Sequence, residues 1–235
     1  MKKAAKFAFV KSIPIMLGYV FLGIAFGLVL QKAGLGPLWA LLISACVYAG
    51  SMQFALVGIL TGGLSFVTTA VMTLFINSRH AFYGLTFIER FKKMKKAYPY
   101  MVFSLTDETY ALLSSARVPE RVDPHAYYFA IAVLDHGYWI LGSVIGSVAG
   151  ALISFDTTGI DFAMTALFIV IAVDQWKTYR SHLPALLGCG ITVLALVILK
   201  PDAMLIPALC VIVVALLLLR ARLDDSRAEA EEEVR

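Results

Sequence analysis

The sequence predicts an all-α integral membrane protein, built as a bundle of about eight hydrophobic helical segments. Of its 235 residues, 60% are hydrophobic and only 15% are charged, which is far outside the range of soluble domains. Apolar runs long enough to cross a bilayer recur along the chain, with the basic residues in the short loops between them. The formal net charge of +4 therefore indicates membrane topology and not nucleic-acid binding.

The first segment begins with a basic stretch and continues as an apolar run to Leu30. Its first eleven positions include the lysines Lys2, Lys3, Lys6 and Lys11. This pattern is similar to a secretion signal, but the run is long enough to span a bilayer and several more spans follow. We therefore expect a retained first helix, in which Gly23 and Gly27 allow another helix to approach closely.

The second segment, residues 37–60, carries small and polar residues at its centre. These residues are Tyr48, Gly50, Ser51 and Gln53. Glycine and serine next to glutamine at this depth indicate either a broken helix, whose freed backbone groups meet substrate or water, or a glutamine that hydrogen-bonds across helices. The sequence leaves both alternatives open.

The third segment, residues 64–88, holds Arg79 and His80 inside a long apolar run. An arginine at the centre of a membrane helix costs roughly 2.5–3.5 kcal/mol, so it normally faces the protein interior and has a partner. Tyr83 falls on the same side of the helix, and Asn77 lies beside that side. In the alternative interpretation, Arg79 extends along the helix towards the basic loop at residues 89–96.

The fourth segment, residues 100–116, is short and carries the adjacent acids Asp107 and Glu108. On a single continuous helix they fall on one polar side, opposite a side of valine and leucine. We expect this side to face the bundle interior and to pair with Arg79, because each charge is costly in lipid without an opposite partner. A helix lying at the membrane surface is the alternative.

The second half of the chain continues the pattern of apolar segments. The fifth, residues 126–153, carries Asp135 and His136, and the sixth ends near residue 177. The last two segments cover residues 183–199 and 203–219. The transmembrane domain therefore extends over residues 1–222, and residues 223–235 form an acidic cytoplasmic tail with no apolar pattern.

A short internal match suggests a duplication. Residues 18–27 and 137–146 agree at five of ten positions, including all three glycines. This match predicts repeats at residues 8–88 and 126–199. The helices that contain Gly18 and Gly137 should then be equivalent, with their glycine faces packed near the centre.

The basic loop at residues 89–96 constrains the topology. Eight full crossings from a cytoplasmic N-terminus place this loop outside the cell, against the tendency of lysine and arginine to remain in the cytoplasm. The conflict disappears if the second and fourth segments each enter and leave on the same side. We expect both termini in the cytoplasm, with the number of full crossings left open.

Several motifs together resemble the AzlC family. They are found at residues 14–27, 48–54, 77–83 and 105–110, and weaker matches at residues 135–136 and 174–176 extend the resemblance into the second half. The resemblance implies the large subunit of a bacterial branched-chain amino acid exporter, a multi-pass permease of the inner membrane. It also implies a small AzlD-type membrane subunit as partner. It does not define the chemistry of the site.

The residues themselves indicate how an amino acid could bind. A zwitterion needs a cationic or helix N-terminal cradle for its carboxylate and an acid for its ammonium group. Arg79 supplies the first, and the pair Asp107 and Glu108 supplies the second. The expected substrate-binding residues are Tyr48, Gly50, Ser51, Gln53, Asn77, Arg79, His80 and Tyr83. Intramembrane acids are also the usual proton carriers of transporters, so we expect Asp107, Glu108 and Asp135 to couple export to proton entry.

Two other functions are compatible with parts of the sequence. In a channel-like or assembly subunit without its own substrate site, Arg79 only pairs with Asp107 between helices. An intramembrane enzyme needs a nucleophile or a metal cluster, whereas the four histidines and three cysteines are scattered along the chain. The sequence therefore predicts no catalytic residue, metal site, cofactor or nucleic-acid partner.

Overall fold

The computed structural model of the protein describes residues 2–152, 169, 172–173, 176–177, 182–199 and 201–219. The regular structure in this part of the chain is entirely helical, which confirms the all-α prediction for it. The end of the predicted sixth segment at residues 174–175, much of the second predicted repeat and the acidic tail lie outside the described residues.

Nine α-helices have both ends within the described residues. They are α1 (Lys2–Lys32), α2 (Pro37–Cys46), α3 (Gly50–Gly62), α4 (Phe66–Lys92), α5 (Tyr98–Phe103), α6 (Asp107–Ser115), α7 (Pro124–Leu152), α8 (Leu183–Ile198) and α9 (Pro201–Leu218), with a 3-10 turn at Lys95–Ala97. By length and composition, two of the described helices can cross a membrane, within Lys3–Lys32 and Pro124–Leu152. The shorter apolar helices are Pro37–Cys46, Gly50–Gly62, Leu183–Ile198 and Pro207–Leu218.

The chain divides into two compact units. The first comprises residues 1–64 and 76–165, and contains α1 to α3, most of α4, and α5 to α7. The second comprises residues 65–75 and 166–235, in which α8 packs against α9. All the residues that the sequence predicts for substrate binding and proton coupling belong to the first unit.

A parallel pair of helices, α1 and α7, forms the centre of the first unit. Successive turns of α1 lie against successive glycines of α7, with Val20 at Gly142, Ile24 at Gly146 and Leu28 at Gly150. A Cβ atom at Gly142 would lie 2.6 Å from the carbonyl oxygen of Val20, so only glycine fits there. The absence of side chains at these positions lets the two backbones touch, as in other small-residue helix interfaces.

The contacts between α1 and α7 are reciprocal. Gly142 meets Val20, and Gly23 meets Trp139, which is the residue that aligns with Val20 in the internal match. The same exchange recurs one turn further on, between Gly146 and Ile24 and between Gly27 and Ser143. Two-fold symmetry between equivalent helices produces this kind of exchange. The glycine faces pack together as expected, while the equivalence of the remaining segments of the two repeats stays a prediction.

One end of the unit, which we call the basic end, is defined by an apolar cluster. The N-terminal ends of α1 and α7, the C-terminal end of α4, and both α5 and α6 contribute to it. Its members include Ala4, Phe91, Met101, Leu113 and Tyr127. Helix α4 therefore runs antiparallel to α1 and α7. The basic loop that follows α4 lies at the same end as the lysine-rich start of α1, which agrees with the topology predicted from the loop charges.

The fourth segment is broken, so the prediction of one continuous helix with an acidic stripe is wrong. Helix α5 ends at Phe103, and α6 begins at Asp107. The break is stabilised by Thr106, whose side chain caps α6 by accepting a hydrogen bond from the backbone N–H of Thr109 at 3.4 Å. Both helices contribute to the cluster at the basic end, so the segment enters from that end and returns to it. We call it the α5–α6 hairpin.

The second segment is also broken, which confirms one of the two alternatives left open by the sequence. Helix α2 ends at Cys46 and α3 begins at Gly50. Between them Tyr48 has a φ of 40°, and such a left-handed conformation costs a non-glycine residue about 1–2 kcal/mol. Helix α2 begins near the C-terminal end of α1. Helix α3 runs back towards that end, because Phe54 packs against Phe26 of α1 with ring centroids 5.6 Å apart. This hairpin therefore enters from the end opposite to the basic end.

The glycine interface predicts a position-specific loss of stability. A Cβ at Gly146 would collide with the Ile24 carbonyl group, so Gly146→Ala should lower the free energy of unfolding by roughly 1–3 kcal/mol. Thermal unfolding of the purified protein in detergent measures this loss. The matched control is Gly137→Ala on the same helix, since its added Cβ has no atom within 4 Å. Equal losses in the two variants would contradict the proposed role of the interface.

Candidate functional site

The N-terminal ends of α3 and α6 approach each other from opposite directions, because each helix begins at the tip of its hairpin. Arg79 of α4 lies between them. Its Nη1 is 2.6 Å from the Asp107 carboxylate oxygen Oδ2. Its Nη2 donates a hydrogen bond to Ser51 Oγ in the first turn of α3, at 3.0 Å. The expected pairing of Arg79 with the acids of the fourth segment is thus present, and Arg79 does not extend to the basic loop.

The electrostatics of this cluster favour a bound anion. The N-terminal end of a helix carries roughly half a positive charge, and two such ends meet here beside a guanidinium group. Asp107 is the first residue of α6, so that helix end is matched by a carboxylate. The N-cap residue of α3 is Ala49, which provides no side-chain cap. Helix N-termini of this kind are common binding sites for carboxylates and phosphates.

Three other predicted residues of α4 lie near Arg79 in the sequence and have different environments. His80 lies against Asp107, with its Nε2 3.7 Å from Oδ1. Tyr83 lies one turn closer to the basic end and stacks on Tyr110 of α6, with ring centroids 4.5 Å apart. Asn77 is half-buried on the same helix. The structure thus brings His80 directly to the ion pair, and Tyr83 to the adjoining aromatic surface.

The predicted residues of the α2–α3 hairpin hold its tip against α7. The Gln53 side chain is fully buried, donates to Ser44 Oγ at 3.3 Å and accepts from Trp139 Nε1 at 2.8 Å. The second sequence alternative, a glutamine bonded across helices, is therefore also present. Gly50 lies under the Trp139 ring, where a Cβ would be 3.3 Å from the nearest ring carbon. The Tyr48 ring packs on His136 with centroids 4.2 Å apart.

Asp135 is the most deeply buried acid among the described residues, with no exposed surface. Its Oδ2 accepts a hydrogen bond from Thr109 Oγ1 at 3.0 Å, and its Oδ1 has no hydrogen-bond partner in the described part of the chain. A buried carboxylate oxygen without a donor is costly. This arrangement favours a proton, water or ligand at that oxygen in the working protein.

Glu108 and Asp135 lie at the two ends of one chain of hydroxyl groups. Tyr19 Oη donates to Glu108 Oε2 at 2.8 Å and lies 2.5 Å from Thr106 Oγ1. Thr106 Oγ1 is 3.2 Å from Thr109 Oγ1, which donates to Asp135. Three elements, α1, the α5–α6 hairpin and α7, are joined by this chain.

Sequence reasoning did not identify four residues that lie beside the site, outside the set predicted to bind substrate: Tyr19, Thr106, Thr109 and Trp139. The signal for Thr106 was available, because a threonine followed by two acids and a second threonine is a typical helix start. No such signal was available for Tyr19 and Trp139, because their hydrogen-bond partners lie 86 to 89 residues away in the sequence.

In this apolar helical bundle, two broken helical segments form hairpins whose tips meet at a charged cluster. Broken helices with their ends at a central binding site are typical of membrane transporters. The comparison with known sequences is more specific. Residues 14–153 match the family described as AzlC protein, and the chain belongs to the AzlC family.

Relatives in several bacteria cover nearly the whole chain. The "Branched-chain amino acid transport protein AzlC" of Bacillus subtilis (strain 168) is 36% identical over 95% of this chain and 88% of its own length. An "Uncharacterized membrane protein" of Helicobacter pylori is 40% identical over 94% of this chain and 97% of its own length. The "Inner membrane protein YgaZ" of Escherichia coli is 29% identical over 88% of this chain and 87% of its own length. No solved structure matches the chain. Together these relatives support a membrane transport role and point away from an enzyme.

The ion pair at the site predicts a measurable coupling. Arg79→Gln and Asp107→Asn should each destabilise the protein, because each leaves an unpaired charge, and the double variant should recover part of the loss. Since the two side chains are 27% and 30% exposed, we expect a coupling energy on the order of 1–3 kcal/mol.

Thermal or denaturant unfolding of the four proteins in detergent measures this coupling. The exposed pair of Glu89 and Lys92, 3.1 Å apart, is the matched control, and its coupling should be below about 0.5 kcal/mol. Strict additivity of Arg79→Gln and Asp107→Asn would show that the ion pair has no energetic significance.

Proposed function

We propose that this chain is the large subunit of a branched-chain amino acid exporter of the bacterial inner membrane. The observation that carries the proposal is the Arg79–Asp107 ion pair at the meeting point of two helix N-termini. It offers opposite charges a few ångströms apart inside an apolar bundle, which suits a zwitterion with an apolar side chain. The relative in Bacillus subtilis named for branched-chain amino acid transport supports the substrate class.

In this proposal the substrate carboxylate binds where Arg79 meets the first turn of α3. The guanidinium group, the Ser51 hydroxyl and the uncapped N–H groups at the start of α3 form a set of donors for one carboxylate. The ammonium group binds Asp107. The substrate therefore replaces part of the interaction between Arg79 and Asp107, so binding is coupled to separation of the α2–α3 and α5–α6 hairpin tips.

The apolar side chain of the substrate requires an apolar surface close to both charges. Tyr83 and Tyr110 provide a stacked aromatic pair one turn from Arg79, and Tyr48 provides a buried ring at the tip of the α2–α3 hairpin. We propose that valine, leucine or isoleucine fits between these rings. Asn77 and His80 complete the proposed binding set, while Gly50 and Gln53 act through the packing of the hairpin tip against α7.

Uphill export needs an energy source, and we propose that proton entry supplies it. Asp107 is bound to Arg79 and is assigned to the ammonium group of the substrate, so it is the poorest of the three proposed proton carriers. Glu108 and Asp135 are better suited, because neither has a cationic partner among the ion pairs of the described residues. Intramembrane acids of this kind carry protons in many transporters.

A second candidate function is that of a channel-like or assembly subunit without its own substrate site. The observation in its favour is that Arg79 already has two good partners, Asp107 and Ser51, without any ligand. Such a subunit would neither bind nor exchange leucine.

The proposed proton coupling predicts different effects for the three acids. Asp135→Asn and Glu108→Gln should lower leucine efflux driven by a pH gradient by roughly tenfold or more, while Asp107→Asn should mainly weaken substrate binding. Leucine efflux from loaded vesicles under an imposed pH gradient measures both effects. Glu89→Gln, an exposed acid on α4, is the matched control. Full gradient-driven efflux in all three variants would show that the proton carrier is another group.

We also propose that the chain works with a small AzlD-type membrane subunit, as the family resemblance implies. Co-expression with such a partner should raise leucine export above that of the chain alone, because the partner would complete the transport complex. Export from cells that carry the chain, the partner, both or neither measures this. Full export by the purified chain alone in vesicles would contradict the requirement for a partner.

A further inference from the structure

The hydroxyl chain between Glu108 and Asp135 contains one hydrogen too few for its contacts. Four contacts link the two acids in series, from Glu108 to Tyr19, Thr106, Thr109 and Asp135. The three hydroxyl groups supply three hydrogens. The fourth must come from a carboxyl group, so the series is completely hydrogen-bonded only when either Glu108 or Asp135 carries a proton.

We propose that Tyr19, Thr106 and Thr109 form a proton relay that carries one proton between Glu108 and Asp135. This inference rests on the proton coupling proposed above and adds the route. With the proton on Glu108, every hydroxyl donates towards Asp135, and with the proton on Asp135, every hydroxyl donates towards Glu108. The two arrangements use the same oxygen positions, so a proton passes without movement of the heavy atoms.

Each transfer is balanced in atoms and charge. Glu108 gives its proton to Tyr19 Oη, Tyr19 gives its own to Thr106, Thr106 gives its own to Thr109, and Thr109 gives its own to Asp135. One O–H bond breaks and one forms at each hydroxyl, Glu108 becomes a carboxylate, and Asp135 becomes neutral. Rotation of the three hydroxyl groups then resets the relay for the next proton.

The three hydroxyl groups of the chain are buried. Tyr19 is 3% exposed, Thr106 is 6% exposed and Thr109 is fully buried, whereas Glu108 is exposed. In the proposed relay, protons enter at Glu108 and reach Asp135 through side chains. Glu108 also adjoins Asp107, the residue paired with Arg79, so one end of the relay lies beside the proposed substrate site.

Other titratable groups face this region from each neighbouring element. They are Arg79 and His80 on α4, Asp107 on α6, Tyr100 on α5, Tyr48 on the α2–α3 hairpin and His136 on α7. His136 is already engaged at both ring nitrogens, with Tyr100 Oη at 3.1 Å and the Ser44 carbonyl oxygen at 3.2 Å. His80 lies against Asp107 on the far side of the ion pair. Neither histidine belongs to the series of contacts from Glu108 to Asp135.

The test separates proton transfer from substrate transport in vesicles that contain the full chain with any partner it needs. Tyr19→Phe and Thr109→Val each remove one hydroxyl and keep the side-chain shape. Leucine exchange at equal pH on both sides should stay within about twofold of wild type, whereas efflux driven by a pH gradient should fall by roughly tenfold or more. Thr109→Ser should restore gradient-driven efflux, because it restores the hydroxyl.

Tyr138→Phe is the matched control. Tyr138 is the counterpart of Tyr19 in the internal match, is also buried, and bonds Ser12 outside the relay at 3.1 Å. It should leave both assays near wild type. Unchanged gradient-driven efflux in both Tyr19→Phe and Thr109→Val would overturn the relay, and so would equal loss in the two assays, which would indicate a structural role. If wild-type efflux itself ignores the pH gradient, proton coupling fails and the relay fails with it.

Discussion

The ion pair of Arg79 and Asp107 is the interaction on which the arrangement of the first unit depends. An arginine in an apolar helix needs an anion at its own depth. Asp107 meets it there as the first residue of α6, because the fourth segment ends its first helix at Phe103 and starts again at Asp107. The break brings a helix N-terminus to the middle of the bundle, and that N-terminus stabilises the carboxylate in turn. The ion pair, the helix break and the hairpin thus occur together at one point of the fold.

The glycine pair of α1 and α7 supplies the rigid part of this arrangement. Because their backbones touch, the two helices form a single support, and both hairpins pack on it from opposite ends. Residues that align in the ten-residue sequence match also make equivalent contacts between the two helices. In the proposed transport cycle, this pair of helices keeps its position while substrate binding at the hairpin tips is coupled to their separation.

The sequence alone predicted the parts of the site that carry a large energetic cost. Arg79 needed an acidic partner, the glycines needed a closely packed backbone, and the small residues near Gly50 indicated a break as one of two alternatives. The loop charges indicated that the fourth segment could enter and leave on the same side, but the sequence did not place a break before Asp107, because a helical wheel assumes a continuous helix. It also missed Tyr19 and Thr109. Isolated hydroxyl groups carry little cost and no pattern, and their partners lie up to 89 residues away.

The central claim is that this site binds both charged groups of an amino acid. Binding of labelled leucine to the purified protein, in competition with two analogues, tests it most directly. Leucinamide lacks the carboxylate that Arg79 binds, and 4-methylpentanoate lacks the ammonium group that Asp107 binds. The account predicts that leucine, isoleucine and valine compete and that both analogues compete at least about tenfold more weakly. Equal competition by either analogue would contradict it.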